Sequence, residues 1–216
     1  MSKNLSYTSP QSHLGLYVAL SLIFSIIGLL PFLDVEQQKN LLAEGGLFES
    51  LTVYLYIFCL ILICVSWSWQ KILSKWYFTA LIVLFALREL DYDKAHFTHG
   101  VLKSRQYFSD LVGLPELLIS IAVLIFILTV LAFIILREKN NFINGVIDFR
   151  QSQLAVLTSI ILVIVTKTID GMERKFGIDL SPSGERFAII VEEVGEMGIP
   201  IMFAIAIISW RNKNQT

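Results

Sequence analysis

From Leu117 to Leu136 the chain runs through 20 residues without one ionisable side chain, and that run decides the class of fold. At about 1.5 Å per residue, a helix of this length covers the roughly 30 Å of bilayer hydrocarbon. Lipid offers the backbone no hydrogen-bond partners, so only helices and closed barrels can span it. An unbroken apolar run lacks the in-out alternation of a barrel strand. Leu14 to Leu33 and Leu47 to Trp69 read in the same way, the second with Glu49 near its start. Three further runs, Trp76 to about Asp93, Leu154 to Ile169 and Phe187 to Trp210, carry ionisable residues within them or at their ends. The expected fold is therefore all-α: a polytopic transmembrane helical bundle of about six spans, 14–33, 47–69, 76–93, 117–136, 154–169 and 185–210. An interfacial helix is expected after the third span.

Composition agrees: 55% hydrophobic and 16% charged residues, with a mean hydropathy of +0.68, lie far from the soluble balance. Nothing in the charge pattern suggests a nucleic-acid partner. Cys59 and Cys64 sit five positions apart, on different helix faces, and suggest neither a disulfide nor a zinc knuckle. Residues 1–216 contain no repeat, low-complexity tract or Gly/Ser linker, so one transmembrane domain is the economical reading. The first span is read as retained, because Pro31-Phe32-Leu33-Asp34 lacks the small residues of a signal-peptidase site.

Alternate connections can be summed for the two sides of a membrane. The amino terminus, the Lys71/Lys75 turn, the Arg137 to Arg150 loop and the carboxyl terminus hold eight Lys/Arg against Glu138 and Asp148, a net +6. The other side holds nine Lys/Arg against sixteen acids, a net −7. Basic residues in short loops resist translocation, which places both termini in the cytoplasm and the acidic face outward.

The acids of the last span are the most unusual feature. Glu185, Glu192 and Glu196 fall within about 40° of one another on a helical wheel, and Glu193 stands to one side. An ionised group at bilayer depth costs about 3 kcal/mol on insertion scales, so these residues are expected to face protein, water or a bound cation rather than lipid. Gly195 and Gly198 allow a close neighbour, and Pro200 can bend the helix and free a carbonyl.

A second constellation closes the third span, Arg88-Glu89-Leu90-Asp91-Tyr92-Asp93-Lys94-Ala95-His96-Phe97-Thr98-His99. If the helix continues, Arg88 pairs with Asp91, and Asp93, His96 and His99 share a face through i+3 steps. Carboxylate with imidazole suits a divalent metal, although neither His-Glu-x-x-His nor Glu-x-x-His is present. The plainer alternative makes Arg88 the neutraliser of a buried glutamate and the histidines interfacial residues. Lys103 and Arg105 follow beside Tyr107 and Phe108, either anchoring to headgroups or holding an anionic substrate. Glu44 and Glu49 open the second span and Asp170 closes the fifth, so four helix ends bring acids to one face. End charges favourable to the helix dipole explain Glu49 equally well.

The Arg88-Glu89-Leu90-Asp91-Tyr92-Asp93-Lys94 helix end with an acidic start to the second span resembles small multi-pass bacterial inner-membrane proteins. The resemblance covers Glu49, Arg88, Glu89, Asp91 and Lys103 to Tyr107. It implies a bacterial inner membrane and no particular activity. Glu192-Glu193 also resembles the paired glutamates of CAAX-type membrane proteases, but Gly195, Glu196 and Met197 stand where an arginine is expected. With only His13, His96 and His99, a three-histidine zinc site like that of alkaline-ceramidase-like hydrolases is hard to assemble.

Three functions use these residues differently. Glu192, Glu193, Glu196, Glu89, Asp91 and Glu49, with Arg88 as charge partner, can bind a proton or cation in small-solute transport. They can instead serve as a divalent-metal or acid/base enzyme on a lipid-like substrate, with Lys103 or Arg105 on its headgroup and Asp93, His96 and His99 as metal ligands. Or the buried ions set helix register in an assembly, homo-oligomeric or otherwise. No serine, cysteine or threonine nucleophile is paired with a base, and the cation or proton reading is preferred.

Overall fold

The computed structural model describes residues 13–43, 45–172, 177 and 179–213, the last three by their backbone alone. Glu44 and the Glu173–Lys175 acid and base cluster lie outside the described residues. Among the described residues every regular element is a helix: α1 Leu14–Leu29, α2 Val35–Leu42, α3 Leu47–Ser66, α4 Trp69–Ser74, α5 Trp76–Glu89, α6 Tyr92–His96, α7 Arg105–Phe108, α8 Leu114–Ile147, α9 Gln151–Asp170 and α10 Pro182–Lys213. A 3-10 turn at Leu30–Phe32 extends α1. Among the described residues, four stretches are long and apolar enough to cross a membrane, Leu14–Phe32, Val35–Ser66, Leu114–Ile147 and Gln151–Asp170.

The helix ends differ from the apolar runs for local reasons. Trp67 is extended and stops α3, and the Ser68 side chain accepts from the Lys71 N–H to start α4, so the second run ends before Trp69. The third helix stops at Glu89 rather than Asp93, because Asp91 takes a left-handed conformation with φ 48°; aspartate is among the few residues that tolerate it. In contrast, Arg137-Glu138-Lys139 ends the apolar run but not the helix. No proline follows, and α8 continues to Ile147 for 34 residues. The interfacial helix expected after the third span is reduced to the four residues of α7.

Helix α10 is the centre of the arrangement, packed chiefly against α9, then α3 and α1, while α5 packs on α3. Its buried stretch from Val194 to Pro200 follows from that placement. Ile190, Val194, Met197 and Met202 meet Leu16, Ala19 and Ile23 of α1 and Ala155 of α9. Ile199 and Ile207 meet Tyr56, Cys59 and Ile63 of α3 and Ile82 and Ala86 of α5. A Cβ on Gly195 would lie 2.6 Å from Thr166 Cγ2, and one on Gly198 would lie 3.0 Å from both Ile23 and Leu162. The two glycines thus admit α9 and α1 to the α10 backbone. Around this centre, α8 buries only Ser120, Val130, Glu138 and Gly145. Most of its leucines and isoleucines are exposed, as suits lipid.

Polar side chains collect at opposite ends of the bundle. One end holds Glu49, Arg88, Glu89, Lys167 and Glu196; the other holds Lys71, Lys75, Glu138 and the four tryptophans, Trp67, Trp69, Trp76 and Trp210. Fourteen residues of α10 separate Glu196 from Trp210, a rise of about 21 Å. Tryptophans gathered at one level are the usual mark of a membrane interface.

Candidate functional site

The acidic end is built on α10. Close packing at Gly195 and Thr166 brings the next residue of α9, Lys167, to Glu196, with Nζ 3.1 Å from Oε1. From the other side the last turn of α5 delivers Arg88, whose Nη2 lies 2.5 Å from the same Oε1. A cation in the final turn is favoured by the helix dipole. Glu196 is buried and held between two cations on two helices. Pro200 has no N–H to donate to the Glu196 carbonyl, so the backbone loses one helical hydrogen bond at the same level.

Beside this pair sits Glu89, only 8% exposed. Arg88 Nη1 is 3.8 Å from its Oε1, too far for a hydrogen bond, and that buried oxygen has no hydrogen-bond partner. Glu193 lies within electrostatic reach of Glu196, Glu192, Glu49 and Glu89, and Glu192 within reach of Asp170, Glu196, Lys167 and Arg88. Glu49 Oε2 also accepts from the Gly45 N–H at 2.6 Å, so it closes the start of α3 and joins the cluster at once. Lys167 further pairs with Asp170 at 3.4 Å. Among the described residues, six carboxylates (Glu49, Glu89, Asp170, Glu192, Glu193, Glu196) thus share Arg88 and Lys167.

The other candidates separate from this group. Asp91 pairs with Lys94 at 3.0 Å on the exposed side, not with Arg88. The helical face expected for Asp93, His96 and His99 does not form, because α6 ends at His96 and Phe97 is extended. Asp93 Oδ1 instead accepts from the Val101 N–H at 2.7 Å, against Gly100 at φ +89°. The His96 ring stacks on Tyr92 with centroids 3.9 Å apart. The His99 backbone N–H donates to Gln106, itself fully buried and bonded to Glu116 and Ser120. Gln106, with Thr98 also bonded to Glu116, ties the 93–109 segment to the start of α8. Among the described residues, no three His, Cys, Asp or Glu side chains form a metal-holding group. Lys103 and Arg105 are exposed and pair with none of the clustered acids.

Two members escape the sequence reading. Lys167 has Asp170 as an obvious local partner, which conceals its reach to Glu196. Tyr56 is wholly buried, its hydroxyl lacks a hydrogen-bond partner, and it lies in the field of Glu89, Arg88 and Glu196. Its signal was its spacing: seven residues after Glu49, it falls on the same helix face. No known family model, curated protein or solved structure matches this chain.

Proposed function

We propose that the chain is a six-span protein of the bacterial inner membrane, one transmembrane domain with both termini cytoplasmic, whose outward acidic cluster binds a proton or small cation in small-solute transport. Helices α5 and α10 complete the six spans. Burial of α10 against α1, α3 and α9 keeps its acids away from lipid, and the 93–109 segment lies along the outer interface. The basic side, where the tryptophans gather, supports the orientation.

The observation that carries the function is the charge imbalance of the acidic end. Among the described residues six carboxylates face two cations, and one oxygen of Glu89 is buried with no hydrogen bond. Glu89 and Glu196 are buried and Glu49, Glu192 and Glu193 half-buried, and carboxylates so placed in excess of their counter-charges are stabilised by taking up protons or cations. Glu196 is already held by Arg88 and Lys167, which leaves Glu89, Glu192 and Glu193 to bind. A cation there competes with Arg88 and Lys167 for the same group of acids. Occupancy is thereby linked to the contacts of α10 with α5 and α9, the coupling a transporter needs.

Reconstitution into liposomes tests this. Under an imposed membrane potential, wild-type protein should carry protons or a monovalent cation, read by an internal pH dye or by ion-selective uptake. Glu192→Gln, Glu193→Gln and Glu89→Gln should lose that flux while remaining inserted and folded. Full flux in all three variants overturns the reading.

A further inference from the structure

At the tryptophan end, the bundle encloses a second feature. A cavity of about 510 Å³ lies between α8 and the α5, α9 and α10 helices, within the size range of sites that hold small organic ligands. Its walls are aliphatic and aromatic, represented by Phe85, Leu131, Ile160, Val163 and Phe203, and its polar lining collects near Glu138 and Trp210. Helix α8 meets the rest of the bundle chiefly through α5 and α9, which leaves a slot along its length.

Trp67, Glu138, Lys139, Asn141, Ser152 and Gln153 line the polar end, and Lys71 and Lys75 pack on the tryptophan rings beside it. Trp67 lines the cavity, is 6% exposed, and its indole N–H is buried without an acceptor. The Lys71 ammonium stands 4.8 Å from the Trp67 ring centre and 4.5 Å from that of Trp210. Among the described residues no carboxylate pairs with it. Lys75, 5.4 Å from the Trp210 ring, pairs with Glu138, which also takes the Tyr77 hydroxyl at 2.5 Å. Lys139 lies on the lining as well. Lys75 alone pairs with Glu138 among these lysines, and burial followed by repulsion from Lys75 holds Lys71 below the ordinary lysine range. The set is donor-rich, positive, placed at interfacial depth and opens onto an apolar slot.

We infer that this cavity is a binding site for one anionic phospholipid of the surrounding bilayer, its acyl chain in the slot beside α8 and its phosphate at Lys71 and Trp67. Phosphate supplies the acceptor oxygens and negative charge that these donors lack. Tryptophan beside the phosphate is the amphipathic partner expected at headgroup level. The site stands about 21 Å along α10 from the acidic cluster and does not depend on what that cluster binds.

The test is native mass spectrometry of the full-length protein released from nanodiscs of mixed dioleoylphosphatidylglycerol and dioleoylphosphatidylcholine. Wild-type protein should retain one phosphatidylglycerol in preference to phosphatidylcholine. Lys71→Gln should weaken that retention roughly tenfold, the value of one charge-assisted hydrogen bond. Val163→Phe, which fills the slot, should abolish it. Brominated-chain phosphatidylglycerol should quench tryptophan emission saturably in wild type, and Lys71→Gln, with an unchanged melting temperature, should raise the half-saturating lipid fraction by the same factor. No retained lipid, equal retention of the two headgroups, or Lys71→Gln and Val163→Phe both retaining lipid as wild type does would each overturn the site.

Discussion

Arg88 Nη2 lies 2.5 Å from Glu196 Oε1, joining the end of α5 to the middle of α10 across 108 positions of sequence. Lys167 meets the same oxygen at 3.1 Å from α9, so a single carboxylate ties three helices together.

Removing one side of such a pair leaves the other charge buried. Arg88→Gln should cost roughly 2–3 kcal/mol, because the side chain is part exposed and Lys167 remains. Adding Glu196→Gln should recover most of the loss. Thermal melts of the two single variants and the double variant in one detergent provide the cycle; additive losses would mean that the pair contributes nothing specific.

Gly195 makes the approach of α9 possible. Gly195→Ala places a methyl 2.6 Å from Thr166 Cγ2, and overpacking of that kind costs about 1–3 kcal/mol. Thr166→Ala removes the obstructing methyl and should restore the melting temperature of the Gly195→Ala protein. Failure of that rescue would show that the α9–α10 contact is not set by this pair.

Tyr56 separates stability from function. Its buried hydroxyl has no hydrogen-bond partner among the described residues, so Tyr56→Phe should leave stability unchanged or raise it slightly, since an unpaired buried hydroxyl is a cost of about 1–3 kcal/mol. If the hydroxyl serves a bound proton or cation beside Glu89, flux in liposomes should fall several-fold in the same protein. A stable variant with unaltered flux would remove Tyr56 from the site.

Asp93 and the His99 backbone fasten the 93–109 segment, and His96 stacks on Tyr92. Elemental analysis of detergent-purified protein should therefore give the same transition-metal content for wild type, His96→Ala and Glu192→Gln. Asp93→Ala should make the 93–109 segment more sensitive to limited proteolysis, as the Val101 N–H loses its acceptor. Stoichiometric metal lost on His96→Ala and Glu192→Gln would move the protein to the enzyme reading.

The sequence was most legible where lipid is the solvent. Apolar runs have one solution in a bilayer, and the positions of the long helices follow from them. Their ends were less legible, because charges at Arg137–Lys139 end a membrane span without ending a helix, while Asp91 ends a helix by a backbone conformation that composition does not encode. Within the site, the stripe of Glu192 and Glu196 could be read from one helix by its period. Arg88 and Glu196 are 108 residues apart, and only packing between helices decides that they meet. The histidines misled for the same reason in reverse: their i+3 spacing has meaning only on a continuous helix, and Phe97 is extended.

Infrared difference spectroscopy of the reconstituted protein reads the acidic cluster directly, through the carboxyl bands that change when the bath is switched from acidic to alkaline buffer or from choline to sodium. Wild-type protein should give a buried-carboxyl signal that diminishes in Glu193→Gln and is lost when Glu89, Glu192 and Glu193 are all replaced by Gln. Spectra of the triple variant that match wild type under both exchanges would contradict proton or cation binding at this cluster.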